Sequence, residues 1–302
     1  MKRTRLLGRL LALCAAAILL VGLAGCGSRA EQSPLVVLFS DQGGGDYAVA
    51  AIKGTIFGAF PEARVVDGET SMPQFDLASG AYILDLGTPD YPAGTIFVCC
   101  ENPGDLPGTS CIAAVSARGC VFLAPDNGLL TRVAADPGFA AVYRVADQSL
   151  FARPLKTASA DWVLPTAAAL LASGTTPEEL GPKVAEITKL DIPEARRAGE
   201  TVTGSVVFVD RFGNCLTNIP ENLLRDLGVG KADRVVVAWR GGEAIMIAGS
   251  AYGDVPEGDP VALLNGSSPL QLSVNMDSFA DVYGVAAGSR IIAALAARSS
   301  GR

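Results

Sequence analysis

The sequence predicts an α/β layer domain followed by an all-β, barrel-like domain, on the strength of two patterns and the stretch between them. From residue 35 to 190, apolar runs of strand length alternate with segments of helical spacing, which is typical of a sheet covered by helices. From residue 202 to 302, short β-branched runs separated by turns predominate. Residues 191–201 are polar and contain proline, which predicts a linker between the two domains.

The elements of the first domain follow one another as strand, turn and helix. The run PLVVLFS predicts a buried strand that ends at the glycine-rich turn SDQGGGD. Ligands of such sheets bind beyond the carboxyl ends of the strands, so this turn and CENPGD, after the third strand, should face one crevice. The other predicted elements are strands at ARVVDGE, GTIFVCC and AAVYRVA, a hairpin at CIAAVSARGCVFLAP, and helices at YAVAAIKGTIFGAF, DLASGAYILDLG, NGLLTRVAAD, DWVLPTAAALLASG and TPEELGPKVAEI.

The second domain is predicted from closely spaced short strands. Such spacing, with turns between the runs, predicts an all-β domain of about 100 residues. The predicted strands are GSVVFVD, CLTNI, DRVVVAW, EAIMIAG, PVALLN and LQLSVN, and short helices are predicted at ENLLRDLG and MDSFADVYG.

The amino terminus predicts a targeting segment over residues 1–25. Four basic residues precede the apolar run LLALCAAAILLVGLAG, and small residues lead directly to Cys26. This is typical of a bacterial lipoprotein signal that is cleaved before Cys26, whose thiol is then diacylated; an uncleaved membrane anchor is the alternative. Residues 26–34 would then be a lipidated tether, and the chain would lie on the extracytoplasmic side of the bacterial cell membrane.

Charge argues against a nucleic-acid partner. Loss of residues 1–25 would remove four of the 24 basic residues and none of the 31 acidic ones, which gives a net charge of −11. No basic patch remains to neutralise phosphates.

The cysteines and the absence of histidine bear on metal binding and redox chemistry. The chain contains no histidine and no CxxC pair, so no metal site is expected. Cys99 and Cys100 are neighbours on a strand and point to opposite faces, so they are poorly placed to bond each other. Cys100 could pair with Cys111 in an oxidising compartment, or both could be buried free thiols, as could Cys120 and Cys215.

Several segments, in order, resemble one family over about residues 35–292. They are SDQGGGDYAVAAIKGTI, VVDGETSMPQFDLASGAYIL, YPAGTIFV, ENPG, APDNGLLT, VVFVDRFGNCLTNI and DVPEGDPVALLNGSSPLQLSVN. They are similar to blocks of the S-adenosylmethionine hydroxide adenosyltransferases, hydrolases related to the fluorinase and chlorinase that use the same substrate. The resemblance implies the two domains predicted above, and a homotrimer with a nucleoside site between one subunit's first domain and a neighbour's second domain. It also implies displacement of methionine from the ribose C5′ by water or halide, with no cofactor besides S-adenosylmethionine as ligand or substrate.

The resemblance also implies binding residues. Asp41 matches a carboxylate that accepts hydrogen bonds from the ribose diol, which suits its paired acceptors, and Asp46 matches one that faces the methionine part. Phe75 matches an aromatic that packs on the ligand, although a core phenylalanine is an alternative. Asn127 is the polar group of a supporting turn. The residues matched around the adenine and the amino-acid tail are Asp210, Phe212, Asn214, Asn265, Gly266 and Ser267.

The water-activating residues of the family do not carry over to this chain. In the family, the turn after the third strand reads Val-Asp-Pro-Gly-Val-Gly, with an arginine soon after and a histidine further on. Here the aspartate position is Asn102, DLPGTSC contains no arginine, and the histidine position is Ala158 or Ser159. An amide does not accept a proton at physiological pH, so the turn has either lost its chemistry or been refilled by Glu101, Asp105 and Ser110.

Three functions remain open from the sequence. The first is an anchored binding protein for S-adenosylmethionine or adenosine-type nucleosides, with weak or absent hydrolysis, which could deliver its ligand to a transporter. The second is an active hydrolase in which Glu101 or Asp105 is a substitute base; halide use, with Ser159 near the halide-contacting serine, is disfavoured. The third is an envelope protein that binds no nucleoside, against which the presence of Asp41 and Asp210 counts.

Overall fold

The computed structural model describes residues 33–101, 110–135, 138–153, 155, 160–266 and 268–296. Residues 1–32, and with them the predicted signal peptide and Cys26, lie outside the described residues. Among the described helices, none has the length and apolarity that a membrane crossing requires. The chain forms an α/β domain and then a closed seven-stranded β barrel, as predicted.

The first domain is built on a six-stranded sheet in the order β2-β1-β3-β5-β4-β6. Strands β2, β1, β3 and β5 are parallel, whereas β4 runs antiparallel to both of its neighbours. The predicted hairpin is therefore present as β4 and β5. The strands are β1 (Leu35–Ser40), β2 (Arg64–Asp67), β3 (Ile96–Cys100), β4 (Cys111–Ser116), β5 (Val121–Pro125) and β6 (Phe139–Arg144).

Helices cover both faces of this sheet, which explains why its central strands are apolar throughout. Helices α1 (Tyr47–Ala59) and α3 (Ala160–Ala172) contribute to the core on one face, and α2 (Leu77–Gly87) contributes to the core on the other. The Asp46 carboxylate caps α1 by accepting from the Ala48 amide at 2.8 Å, and Asp76 caps α2 by accepting from the Ser79 amide at 3.1 Å.

Two predicted helices of the first domain are absent from the structure. NGLLTRVAAD forms a series of turns, since the Thr131 and Ala135 amides bond to carbonyls only three residues back. TPEELGPKVAEI forms only the 3₁₀ turn Pro177–Leu180, because Gly181, with a φ of 151°, and then Pro182 follow it. Beyond this turn the chain runs beside β6, where the Val184 amide donates to the Val142 carbonyl at 2.8 Å.

The second domain is a barrel closed by the pairing of β8 with both β14 and β9. Closure leaves these seven strands without a free edge. The sequence analysis missed β7, within the predicted linker, and β14, which closes the barrel. The strands are β7 (Arg196–Ala198), β8 (Thr201–Val209), β9 (Cys215–Thr217), β10 (Arg234–Trp239), β11 (Gly242–Gly249), β12 (Pro260–Leu263), β13 (Gln271–Val274) and β14 (Arg290–Leu295), with helices α4 (Glu221–Asp226) and α5 (Phe279–Tyr283).

Helix α2 of the first domain contacts the barrel. The Ser79 hydroxyl lies within hydrogen-bond distance of the Val207 carbonyl in β8, and the Tyr82 hydroxyl bonds to the Asn218 side chain. Asn218 is itself held by the Pro193 carbonyl and the Ser205 amide, each at 2.8 Å. The helix that forms one wall of the crevice is therefore tied to the barrel at its first and second turns.

Candidate functional site

The carboxyl ends of β1, β3 and β5 bring Asp41, Glu101 and Asn127 to one edge of the first sheet. Ser40 is in register with Cys100, so Asp41 and Glu101 occupy the next positions on neighbouring parallel strands. Side chains alternate along a strand, and Phe39 and Cys99 both lie in the core on the α2 face. Asp41 and Glu101 therefore point to the same face. Only 5% of Asp41 is exposed, so this carboxylate is set into the crevice.

Glu101 is fully buried against the first turn of α2. Its exposed fraction is 0%, and in the described part of the chain neither carboxyl oxygen has a hydrogen-bond partner. A Cβ on Gly80 would overlap this carboxyl group, so glycine leaves the space that Glu101 fills. Burial, and then the charges of Asp41 and Asp76, raise the pKa of Glu101 to about 9. Glu101 is therefore protonated at neutral pH, which argues against its predicted role as a substitute base.

Asn127 joins the ends of β3 and β5. Its side-chain amide donates to the Glu101 carbonyl at 3.3 Å, and its side-chain oxygen accepts from the Leu129 amide at 3.1 Å. The adjacent Asp126 carboxylate accepts from the Thr188 amide at 2.8 Å. PDNGLLT thus acts as a supporting turn, and Asn127 holds the backbone of Glu101 in place.

Asp46 and Phe75 flank the crevice without being buried in it. Asp46 is exposed and its carboxylate caps α1. Phe75 is 81% exposed and has a φ of 60°, a backbone conformation that residues other than glycine rarely adopt. Phe75 is therefore not a core residue, and its ring is available to pack on a ligand or on another chain.

In the barrel, Phe212 and Asn214 line an apolar cavity of about 490 Å³ together with Tyr252 and residues 274–278. Phe212 is 80% exposed and Met276, on the same cavity, is 81% exposed. Asp210 shapes the turn that carries Phe212. Its carboxylate accepts from the Phe212 and Asn214 amides at 2.9 Å and from the Asn214 side chain at 2.8 Å.

The loop at Asn265 and Gly266 forms a separate part of the barrel surface, since neither residue lines the 490 Å³ cavity. The Asn265 side chain accepts from Ser268, and the Gly266 amide donates to Glu221 at 2.7 Å. The structure therefore gathers Phe212 and Asn214 but does not bring Asn265 to them. Four predicted site residues lie outside the described residues, namely Asn102, Asp105, Ser159 and Ser267.

Sequence reasoning missed four residues that shape these surfaces. Asp76 and Gly80 pack around Glu101, and Tyr252 and Met276 line the barrel cavity. Asp76 could have been found as a helix cap, since an aspartate directly precedes the helical pattern. The positive φ of 63° at Met276 leaves no mark in the sequence.

The cysteines remain thiols in the described chain. All five of Cys99, Cys100, Cys111, Cys120 and Cys215 are free. Strand β5 lies between β3 and β4, which separates Cys100 from Cys111 by two strand spacings, about 9.5 Å, more than the ~7 Å that a disulfide spans. This sheet order favours the buried-thiol alternative. Within the described residues, no group of three or more metal-binding side chains comes together.

Comparison with known proteins gives consistent matches over both domains. Residues 36–181 match the model of the SAM hydroxide adenosyltransferase N-terminal domain, and residues 204–292 match that of the C-terminal domain. A Thermus thermophilus protein named (R)-S-adenosyl-L-methionine hydrolase is 33% identical, over 84% of this chain and 96% of the relative. A fluorinase from Actinopolyspora mzabensis is 29% identical, over 87% of this chain and 98% of the relative.

A solved structure of an uncharacterized conserved protein from Thermotoga maritima is also similar. It superposes with a TM-score of 0.81 at 27% identity, covering 86% of this chain and 99% of that one.

Proposed function

Because this chain belongs to the SAM hydroxide adenosyltransferase family, we propose that it binds S-adenosylmethionine or adenosine-type nucleosides and hydrolyses S-adenosylmethionine weakly or not at all. Asp41 carries this proposal. It is a nearly buried carboxylate at the carboxyl end of β1, the edge at which sheets of this kind bind ligands. Two acceptor oxygens held in place suit the two hydroxyls of a ribose.

The barrel cavity supports a site that needs a second chain. Phe212 and Met276 expose most of their apolar surface, and a cluster of exposed apolar groups around a cavity is typical of a surface that another molecule covers. We propose that the first domain of a neighbouring subunit covers it in a homotrimer, with the nucleoside between the two. Exposed Phe75 supplies a matching aromatic group on the first domain.

Two observations support the proposal of weak hydrolysis. Asn102 stands where the family has the aspartate that polarises water, and an amide is a poor proton acceptor. The neighbouring carboxyl group, Glu101, is buried and protonated, so it does not replace that aspartate. Orientation of the substrate alone would still accelerate displacement of a good leaving group to some extent.

The experiment is a single-turnover assay with the full-length chain in detergent. Protein and S-adenosylmethionine are mixed at near-equal concentration, and adenosine and methionine are followed by chromatography against a sample without protein. Both sulfonium epimers are tested, since one relative is named for the (R) form. We expect saturable binding with little or no adenosine above background. Failure of both S-adenosylmethionine and adenosine to bind would overturn the proposal.

The second candidate is an active hydrolase, which the names of the relatives favour. Adenosine above background, equal in the exposed control Glu62→Gln and lost in Asp41→Ala, would establish it. Asp105 would then be the carboxylate to substitute next, because Glu101 is buried and protonated.

We also propose that Cys26 carries a lipid that holds the protein on the extracytoplasmic side of a bacterial membrane. The basic, apolar and small-residue pattern before Cys26 supports this. Cys26→Ala should abolish incorporation of labelled palmitate and release the protein from membranes. Unchanged labelling in that variant would refute lipidation at this residue.

A further inference from the structure

Three carboxyl groups converge at the carboxyl end of β3. Glu101 lies beside Asp41 on the neighbouring strand, and Asp76, the cap of α2, acts on Glu101 from the helix side. We infer that Glu101 makes the Asp41 site increasingly selective for a cationic nucleoside as pH rises, because the buried carboxyl group is neutral in the unliganded protein and loses its proton more readily when a positively charged ligand binds. This inference rests on the proposed nucleoside binding at Asp41.

The surroundings of Glu101 explain its neutral state. Gly80 of α2 lies directly against the carboxyl group, and the Asn127 side-chain amide donates to the Glu101 backbone carbonyl. Among described residues, the charges that raise the pKa of Glu101 are those of Asp41 and Asp76, both acidic. The nearby Cys99 thiol is buried, and its own pKa is raised by that burial and by Glu101, so it stays neutral.

Ionising Glu101 without a hydrogen bond or an opposite charge nearby would cost much free energy. A buried carboxylate that accepts no hydrogen bond pays the full desolvation penalty, and two neighbouring anions add to it. Both oxygens lack partners in the described chain, so the proton removes most of that cost. The raised pKa of about 9 agrees with this geometry.

A bound cation lowers the free-energy cost of ionising Glu101. Adjacent parallel strands are about 4.8 Å apart, so Asp41 and Glu101 are neighbours, and we take roughly 7 Å as the separation between Glu101 and the charge of a ligand held by Asp41. At an effective dielectric constant of about 20, a unit positive charge at that distance lowers the pKa of a carboxyl group by about 1.7 units. Ionisation then becomes accessible near pH 7.5. A neutral nucleoside brings no such charge and leaves the proton in place.

The test uses two nucleosides that differ by one methyl group and one charge. 5′-Deoxy-5′-dimethylsulfonioadenosine is a permanent cation, and 5′-methylthioadenosine is the neutral thioether. Neither carries an amino or carboxyl group that titrates between pH 6.5 and 9.5. Affinities for the full-length chain are measured by calorimetry across that range, in buffers of different ionisation enthalpy.

We expect the affinity for the sulfonium to rise about thirtyfold from pH 6.5 to 9.5, with about 0.7 proton released per ligand near pH 8. The affinity for the thioether should not change. In Glu101→Gln, which keeps the shape of the side chain, sulfonium affinity should be independent of pH. The matched control Glu62→Gln, at an exposed position, should keep the pH dependence of the parent protein.

The outcomes separate this inference from the proposed function. If neither nucleoside binds at any pH, both fail. If both bind and the sulfonium affinity does not change with pH, only the inference fails. An unchanged slope in Glu101→Gln would assign the proton to another group and overturn it as well. Should that variant not fold, the difference in slope between the two nucleosides in the parent protein still decides the matter.

Discussion

The crevice of the first domain and the cavity of the barrel are built by opposite means. In the crevice, Asp41 and Glu101 are polar, nearly or fully buried, and placed by neighbouring strands of one sheet. On the barrel, Phe212 and Met276 are apolar and largely exposed. Strand register within a single chain is enough to bring the polar residues of the crevice together. The apolar surface at the barrel cavity is buried only when another molecule covers it. Subunit assembly should therefore matter more for the barrel cavity than for the crevice.

The two regions also differ in how their polar groups are satisfied. In the barrel turn, the Asp210 carboxylate accepts three hydrogen bonds from its own segment. In the crevice, Glu101 has no partner for either oxygen among the described residues. The Asp210 carboxylate therefore stabilises its own turn. The Glu101 carboxyl group has no such hydrogen bonds, so a bound ligand would change its protonation. The predictions below test this contrast, from the largest expected effect to the smallest.

Removal of the Asp41 carboxylate should have the largest effect. Asp41→Ala loses two charge-assisted hydrogen bonds to the ribose, and nucleoside affinity should fall by about 4 kcal/mol, roughly a thousandfold. Equilibrium dialysis with labelled adenosine measures this loss. The exposed Asp90→Ala is the matched control and should bind as the parent does. Equal affinities in all three proteins would place the nucleoside elsewhere.

The stability of the protein should be sensitive to a single methyl group added at Gly80, where α2 packs against Glu101. Gly80→Ala places a Cβ into the Glu101 carboxyl group and should lower the free energy of unfolding by about 3 kcal/mol. Gly54→Ala, in α1 with open space around it, should instead raise that free energy by about 0.7 kcal/mol.

A double-mutant cycle gives the decisive comparison for this fit. In a Glu101→Ala background, Gly80→Ala should cost little, because the group it strikes is gone. Denaturant unfolding measures all four proteins. Additive effects would show that Gly80 is needed for a different reason.

Stability should fall as pH rises through the range set by Glu101. Its folded pKa of about 9 lies above the ordinary pKa of 4.5 for a glutamate, so its contribution to stability is complete below pH 4.5 and is lost as pH approaches 9. Glu101→Gln carries no such proton, so the free energy of unfolding of the parent should fall relative to that of this variant by about 2 kcal/mol from pH 5 to pH 6.5. Thermal unfolding at the two pH values checks this. Parallel pH profiles would contradict a neutral, buried Glu101.

Assembly should depend on the barrel cavity. Phe212→Ser removes exposed apolar surface at that cavity and should weaken subunit association about tenfold, near 1.4 kcal/mol. Light scattering over a range of concentrations reports the mass. Phe57→Ser, at a similarly apolar but separate position on α1, is the control and should assemble normally. Loss of assembly in the control alone would move the interface to the first domain.

Much of the fold could be predicted because its signals are local. Continuous apolar runs indicated the buried strands, and the helical spacing of DLASGAYILDLG, which ends at a glycine, indicated α2. The failures were also local in origin. TPEELGPKVAEI has helical spacing, but Gly181 and Pro182 end the turn, and contacts with β6 hold the following residues extended. The linker contained β7, which is short and exposed and therefore lacks an apolar pattern.

By itself, the sequence determined the two domain types, the crevice at the ends of β1 and β3, and Asp41 as its carboxylate. It left the Cys100–Cys111 pairing open and offered Glu101 as a base. Only the tertiary structure decided these points, since β5 separates the two cysteines and Gly80, 21 residues before Glu101, buries its carboxyl group. The physical reason is that spacing along the chain indicates on which face of a strand or helix a side chain lies. Sheet order and helix docking decide which residues from distant parts of the chain pack against that face.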